Sequence, residues 1–153
     1  MLTVSDGVVN GTRDDVSGRV LAGRLRAAGY EIVQQAAVPD ETEAIAVILI
    51  DWCRSCSLIV TTGGTGFAPR DVTPEATEKI VERPAPGIAE LLRWTGMQKT
   101  PRAALSRGIA GIRRSTLIVN LPGSPRAVEE GLDVLVPILP HALALLLERH
   151  VDH

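Results

Sequence analysis

The chain has 153 residues, of which 45% are apolar and only 3% aromatic, with a formal net charge of −2. That is room for one domain with an aliphatic core that needs neither disulfides nor metal, and it excludes a base-stacking platform or the basic excess of a nucleic-acid binder. No apolar run reaches the ~18 residues of a membrane span, no basic flank, apolar stretch and cleavage site mark the start, and two cysteines fit a reducing compartment, so a cytoplasmic location is expected.

Leu2 to Ser5 reads as the end of a strand that is either short or begins upstream. A polar, glycine-containing loop, Asp6 to Asp14, leads to a helix with Val16, Val20, Leu21, Leu25 and Ala28 on one face and Gly29 as its stop. Tyr30 to Val38 is a strand closed by Pro39, and a second helix is expected from Asp40 to Arg54, with Asp40 as its N-cap and Glu43 three residues on. The continuous aliphatic run Ser57 to Thr61 predicts a buried strand that passes straight into Thr62-Gly63-Gly64-Thr65-Gly66. Thr73 caps the next helix, with Pro74 in its first position. Pro84 and Pro86 break the pattern, Gly87 to Trp94 resumes it, and Ala103 to Arg113 reads equally as a short strand or a turn. Ser115 to Leu121 is a strand ended by Pro122-Gly123, and Val128 to Leu135 and Pro140 to Arg149 are the last helices. This alternation predicts one α/β domain, residues 1–153, whose mostly parallel central sheet carries helices on both faces. Ligands of such sheets bind outside the carboxyl ends of the strands, here Ser5-Asp6, Pro39-Asp40, the loop after Thr61, and Asn120 to Gly123.

Consecutive amides in Gly63 to Gly66 can form an anion-binding nest. The same loop can also be a turn that needs glycine only for its positive φ angles. It is not a Walker loop, because no Gly-Lys-Ser/Thr follows. Asp71 follows closely and Asp40 ends the neighbouring strand. Two carboxylates beside a phosphate loop suit Mg²⁺, although singly each is also explained as a turn former or a cap. The turn at Pro122-Gly123-Ser124 opens a helix whose amides favour an anion, and Arg102, Arg107, Arg113 and Arg126 lie near it in sequence, with Ser106 beside them. Cys53-Arg54-Ser55-Cys56 lacks the second ligand pair of a zinc site. His141, His150 and His153 are read as helix-surface or tail residues, and Trp52 and Trp94 as packing.

Thr61-Thr62-Gly63-Gly64-Thr65-Gly66 followed by Pro69-Arg70-Asp71-Val72-Thr73-Pro74-Glu75-Ala76-Thr77 resembles the signature of the Mog/MoaB family, which includes the G domain of gephyrin. The likeness continues through Ser5-Asp6-Gly7, Asp15-Val16-Ser17-Gly18, Val38-Pro39-Asp40, Leu105-Ser106-Arg107 and Leu117 to Gly123, and so spans nearly the whole chain. The resemblance implies a three-layer α/β/α sandwich that assembles as a homotrimer. It implies a molybdopterin adenylyltransferase that uses Mg²⁺ and ATP, releases pyrophosphate and hands its product to a molybdate-inserting enzyme. Carried over by position, Asp40 and Asp71 are the essential, Mg²⁺-associated carboxylates. Ser106 and Asn120, with Pro122 and Gly123 after them, hold molybdopterin, and Ser5, Asp6, Asp15, Ser17, Gly18, Gly63, Gly64, Thr65 and Gly66 grip the nucleotide. The alternatives are a catalytically silent molybdopterin-binding paralogue and a trimeric scaffold.

Overall fold

Six strands and seven helices form among residues 1–148, the part of the chain that this computed structural model describes. The strands are β1 (Leu2–Val4), β2 (Ala36–Val38), β3 (Leu58–Thr62), β4 (Arg83–Pro84), β5 (Ala110–Arg113) and β6 (Thr116–Leu121), in the spatial order β2-β1-β3-β6-β5-β4. The pairs β1–β2, β1–β3 and β3–β6 are parallel, whereas β5 runs antiparallel to both β6 and β4. The sheet is therefore mixed, a parallel half of four strands continued by an antiparallel extension. The helices are α1 (Asp6–Val9), α2 (Val16–Ala27), α3 (Thr42–Trp52), α4 (Thr73–Glu78), α5 (Pro86–Met97), α6 (Pro125–Leu135) and α7 (Leu139–Leu146), with a 3-10 turn at Pro101–Leu105.

Period-two alternation in the central strands divides the aliphatic side chains between two cores. Leu2, Val4, Ile59 and Ile118 face one side, where they meet Ile45 and Leu49 of α3 and Ala76 of α4. Val60, Leu117, Val119 and Leu121 face the other and pack on Leu21 and Leu25 of α2, Val128 and Leu132 of α6, and Leu139 of α7. Each fully buried Leu or Ile contributes roughly 1.5–3 kcal/mol by leaving water. The expected three layers follow from this division. Among the described residues no helix is long and apolar enough to cross a membrane.

Several local expectations are corrected. Only Ala36–Val38 of the strand expected over Tyr30 to Val38 forms, because its sole neighbour β1 offers three pairing positions, Leu2, Thr3 and Val4. The loop at Asp6 contains one helical turn, capped by Ser5 Oγ accepting from Val8 N at 3.3 Å. Asp40 is not the cap of α3: Glu41 holds that position, without a side-chain bond. Thr73 lies inside α4, capped by Val72, and its hydroxyl donates instead to Gly63 O at 2.9 Å. Pro84 joins a two-residue edge strand, which tolerates a missing N–H. The ambiguous stretch Ala103 to Arg113 ends as β5, joined to β6 by a tight turn at Arg114 with φ of 52°. The far end of the last expected helix, Arg149, together with His150 and His153, lies outside the described residues.

Candidate active site

All four parallel strands point the same way, so their carboxyl ends share one edge of the sheet. A cleft of about 870 Å³ opens there. Strand order reverses between β1 and β3, the position at which connections diverge and leave a crevice. The cleft is lined by Ser5, Asp15 and Ser17, by Asp40, by Gly63, Gly64, Thr65 and Gly66, by Asp71, and by Ser106, Asn120, Pro122 and Gly123. Of the expected residues, Asp6 and Gly18 alone fall outside this lining.

The glycine loop is held from behind by its carbonyls. Gly63 O accepts from Thr73 Oγ1 and Gly64 O from Thr73 N, while Thr65 O accepts from Arg107 N and Gly66 O from Arg107 Nε, at 2.8–3.0 Å. In a planar trans peptide the N–H points opposite to the carbonyl before it. Fixing these carbonyls therefore turns the amides of Gly64, Thr65 and Gly66 the other way, and none of the three has a partner among the described residues. Three consecutive N–H groups left without partners are the raw material of an anion-binding nest. Glycine is required twice by geometry: Gly63 has φ of 99° and a Cβ there would lie 2.2 Å from Val4 O, and Gly64 has φ of 64° with Thr73 Oγ1 2.4 Å from its would-be Cβ. The positive φ angles of Gly63 and Gly64 bear out the turn-former explanation, and the free amides leave the anion explanation compatible with the same loop.

Asp40 and Asp71 line the same cleft. Asp40 Oδ2 accepts from Asp6 N at 2.8 Å while Asp6 Oδ1 accepts from Asp40 N at 3.1 Å, a reciprocal pair that ties the ends of β1 and β2 together. Arg70 closes the arrangement by donating Nε and Nη2 to the two Asp6 oxygens. The N–H of Asp40 and then Arg70 hold the Asp6 carboxyl below its ordinary range. Burial pushes the Asp40 carboxyl up, as do the neighbouring charges of Asp6 and Asp71, against the Asp6 N–H bond and Arg70. Asp71 Oδ2 accepts from Ala68 N at 2.8 Å. Each of Asp40 and Asp71 thereby keeps one oxygen without a protein partner among the described residues.

The remaining residues divide into lining and support. Asp15 caps α2 by accepting from Gly18 N and also accepts from Thr3 Oγ1, each at 2.8 Å. Gly18 is needed because a Cβ would meet that carboxylate at 2.2 Å. Asp6 and Gly18 therefore support the cleft wall from behind. Ser17 Oγ donates to Gly123 O at 2.5 Å, and Thr62 Oγ1 donates to Pro122 O at 2.8 Å, which fixes the Pro122-Gly123 turn. Asn120 lines the cleft, yet its amide is engaged: Nδ2 donates to Thr61 Oγ1 and Thr77 Oγ1, and Oδ1 accepts from Ile109 N, at 3.0–3.2 Å. Ser106 Oγ accepts from Gly108 N at 3.4 Å, while Arg93 fastens the same loop by donating to Gly108 O at 2.7 Å.

Of the arginines grouped in sequence, Arg102 alone reaches the cleft. Arg113 is tied to Ile80 O and Glu82, Arg126 to Glu130, and Arg107 to the back of the glycine loop. Sequence reasoning missed Arg13 and Arg93, which also line the cleft. Arg13 stands in the polar segment before Asp15, and its charge beside a cap was the available signal. The cysteines of Cys53-x-x-Cys56 are free at the end of α3, and burial pushes the Cys53 thiol up, which disfavours a reactive thiolate.

Comparison with known proteins gives a consistent result. Residues 1–141 match the family described as a probable molybdopterin binding domain. The molybdopterin adenylyltransferase of Helicobacter pylori is 41% identical over 161 residues, covering 99% of this chain and 89% of that protein. Gephyrin of Dictyostelium discoideum is 43% identical over 157 residues, which are 95% of this chain and 22% of that longer protein. Among solved structures, the molybdopterin biosynthesis enzyme MoaB of Thermus thermophilus matches at a TM-score of 0.91 and 46% identity, over 99% of this chain and 96% of that one. The tungsten cofactor synthesizing MoaB of Pyrococcus furiosus matches at 0.87 and 30% identity, over 95% and 93%.

Proposed function

The chain belongs to the molybdopterin-binding domain family, and from that premise we propose that it is a molybdopterin adenylyltransferase of molybdenum cofactor biosynthesis. A terminal phosphate oxygen of molybdopterin attacks the α-phosphorus of ATP. The bond from that phosphorus to the bridging oxygen breaks, and pyrophosphate leaves. Both reactants are anions, so catalysis rests on positioning and on offsetting charge. The observation that carries this reading is the nest of Gly64, Thr65 and Gly66 amides in the same cleft as Asp40 and Asp71.

Each residue has a proposed task. The nest cradles phosphate oxygens of ATP, and Arg13 adds a cation beside them. Ser5, Asp15 and Ser17 shape the nucleotide end of the cleft, while Ser106 and the Pro122-Gly123 turn shape the molybdopterin end. Asn120 serves that end by fixing β6 to β3 and α4, since its amide already has its partners. Among the described residues no cluster of three or more side chains forms a metal cage. Mg²⁺ does not need one: it binds through one or two carboxylates, substrate phosphates and water. The unpartnered oxygens of Asp40 and Asp71 fit that demand. The ion would offset triphosphate charge.

A homotrimer, a cytoplasmic location and hand-over of the product to a molybdate-inserting enzyme belong to the same proposal. Leu91, Trp94 and Met97 form an exposed apolar row on α5, which association would cover. The deciding experiment is pyrophosphate release from ATP that depends on added molybdopterin. Binding of both ligands without release would favour a silent paralogue instead.

A further inference from the structure

We propose that Arg107 is the positioning residue of this site, fastening the phosphate-binding loop to the segment that carries Asp71. Four donors of this one residue converge there. Its backbone N–H reaches Thr65 O and its Nε reaches Gly66 O, each at 2.8 Å, and Nη2 reaches Asp71 O at 2.5 Å. Nη1 pairs with the Glu75 carboxylate on α4, which neutralises the guanidinium and aims it. Arg107 is not among the residues that line the cleft, and its donors are turned to Thr65 O, Gly66 O, Asp71 O and the Glu75 carboxylate.

The chemistry of the side chain explains why arginine stands here. A planar guanidinium presents donors in a rigid fork and can serve three acceptors in fixed directions, whereas the lysine ammonium is a point charge on a flexible stem. Here the acceptors are two carbonyls and a carboxylate on three different stretches of chain: Gly66, Asp71 and Glu75. The Gly66 carbonyl fixes the far end of the nest, and the Asp71 carbonyl fixes the backbone of the carboxylate. Arg107 thus sets the spacing between the phosphate oxygens and the metal-side oxygen. Thr73 performs the same duty for the near end of the loop, through Gly63 O and Gly64 O.

The kinetic consequence rests on the adenylyl-transfer reading, but the mechanical one does not. The test uses Arg107→Lys and Arg107→Ala in the full chain, with ¹⁵N relaxation of Gly64, Thr65 and Gly66 beside steady-state kinetics. Both variants should lower the order parameters of the three amides from about 0.85 toward 0.6. Both should also lower kcat/KM for ATP by about 100-fold, the scale of an ångström-size misplacement, with KM for molybdopterin unmoved. Equal loss in the lysine variant marks geometry; a phosphate-binding cation would be largely replaced by lysine. Glu75→Gln, which leaves the carbonyl contacts in place, should shift the same readouts by a smaller factor and remains informative if Arg107→Ala does not fold. A rigid loop in Arg107→Lys, or wild-type kinetics in an active preparation, overturns the proposal. A loosened loop beside a wild-type chain that shows no molybdopterin-dependent transfer upholds the fastening and sinks the adenylyl-transfer reading instead.

Discussion

Replacing Gly64 by alanine tests the loop geometry most directly. The new Cβ would lie 2.4 Å from Thr73 Oγ1 and 3.1 Å from Asp40 Oδ1, on a backbone with φ of 64°. Holding an alanine in that left-handed conformation costs about 1 kcal/mol. Displacing the buried Thr73 hydroxyl breaks its 2.9 Å bond to Gly63 O, and leaving those groups without partners costs about 1–3 kcal/mol. The sum, roughly 2–4 kcal/mol, corresponds to a fall in Tm of about 5–15 °C for a domain of this size. Gly23 provides the internal control: it is exposed within α2, and nothing lies within 4 Å of its would-be Cβ. Gly23→Ala should therefore stabilise by about 0.4–1 kcal/mol. Calorimetric melting of the two variants, followed by pyrophosphate-release kinetics, separates the effects. If Gly64→Ala melts at or above the wild type, the close approach of Thr73 is not what holds this loop.

Asp71→Asn should abolish adenylyl transfer with an unchanged melting curve, and chelation by EDTA should do the same reversibly, with Mg²⁺ restoring activity; turnover by the purified variant or in excess chelator would rule out the carboxylate–metal role. Asn120→Ala removes two buried hydrogen bonds and a third that is part-buried and should destabilise by about 2–4 kcal/mol in urea titration, whereas a variant of native stability that has lost only molybdopterin affinity would place the side chain on the ligand. Glu75 has its carboxyl held below its ordinary 4.5, chiefly by the bond from Arg107. A depressed folded-state pKa gives stability that is present above 4.5 and is lost as pH falls through the lower folded value. Glu75→Gln should flatten that acid limb, and an unchanged pH dependence of urea midpoints would count against the pairing.

The site edge was legible because the runs expected to end at Ser5, Val38, Thr61 and Leu121 stop within one residue of the strands themselves, which end at Val4, Val38, Thr62 and Leu121. The roles at that edge were less so. Asp40 looks like a cap, since a carboxylate just before an apolar periodic segment has the sequence form of one; its long-range partner is Asp6, 34 residues away. Arg107 reads as a ligand for phosphate until its fork is seen on three acceptors, a fact of tertiary placement that spacing does not encode. Tyr30 to Gln35 has strand character, but an element at the edge of a sheet can be no longer than its neighbour allows. The β5 segment was ambiguous because Gly108, Ala110 and Gly111 carry little side chain to show an alternation. Gly111 is small for a reason of packing: a Cβ there would press on Val81 at 2.4 Å.

Under the proposed function, the loop from Gly63 to Gly66 grips an anion with groups that carry no exchangeable charge state near neutrality. Main-chain amides neither titrate between mild acid and mild alkali nor accept the acylations that silence a lysine. Any dependence of turnover on acidity in that range must accordingly come from groups other than this loop, the phosphates of the two substrates among them.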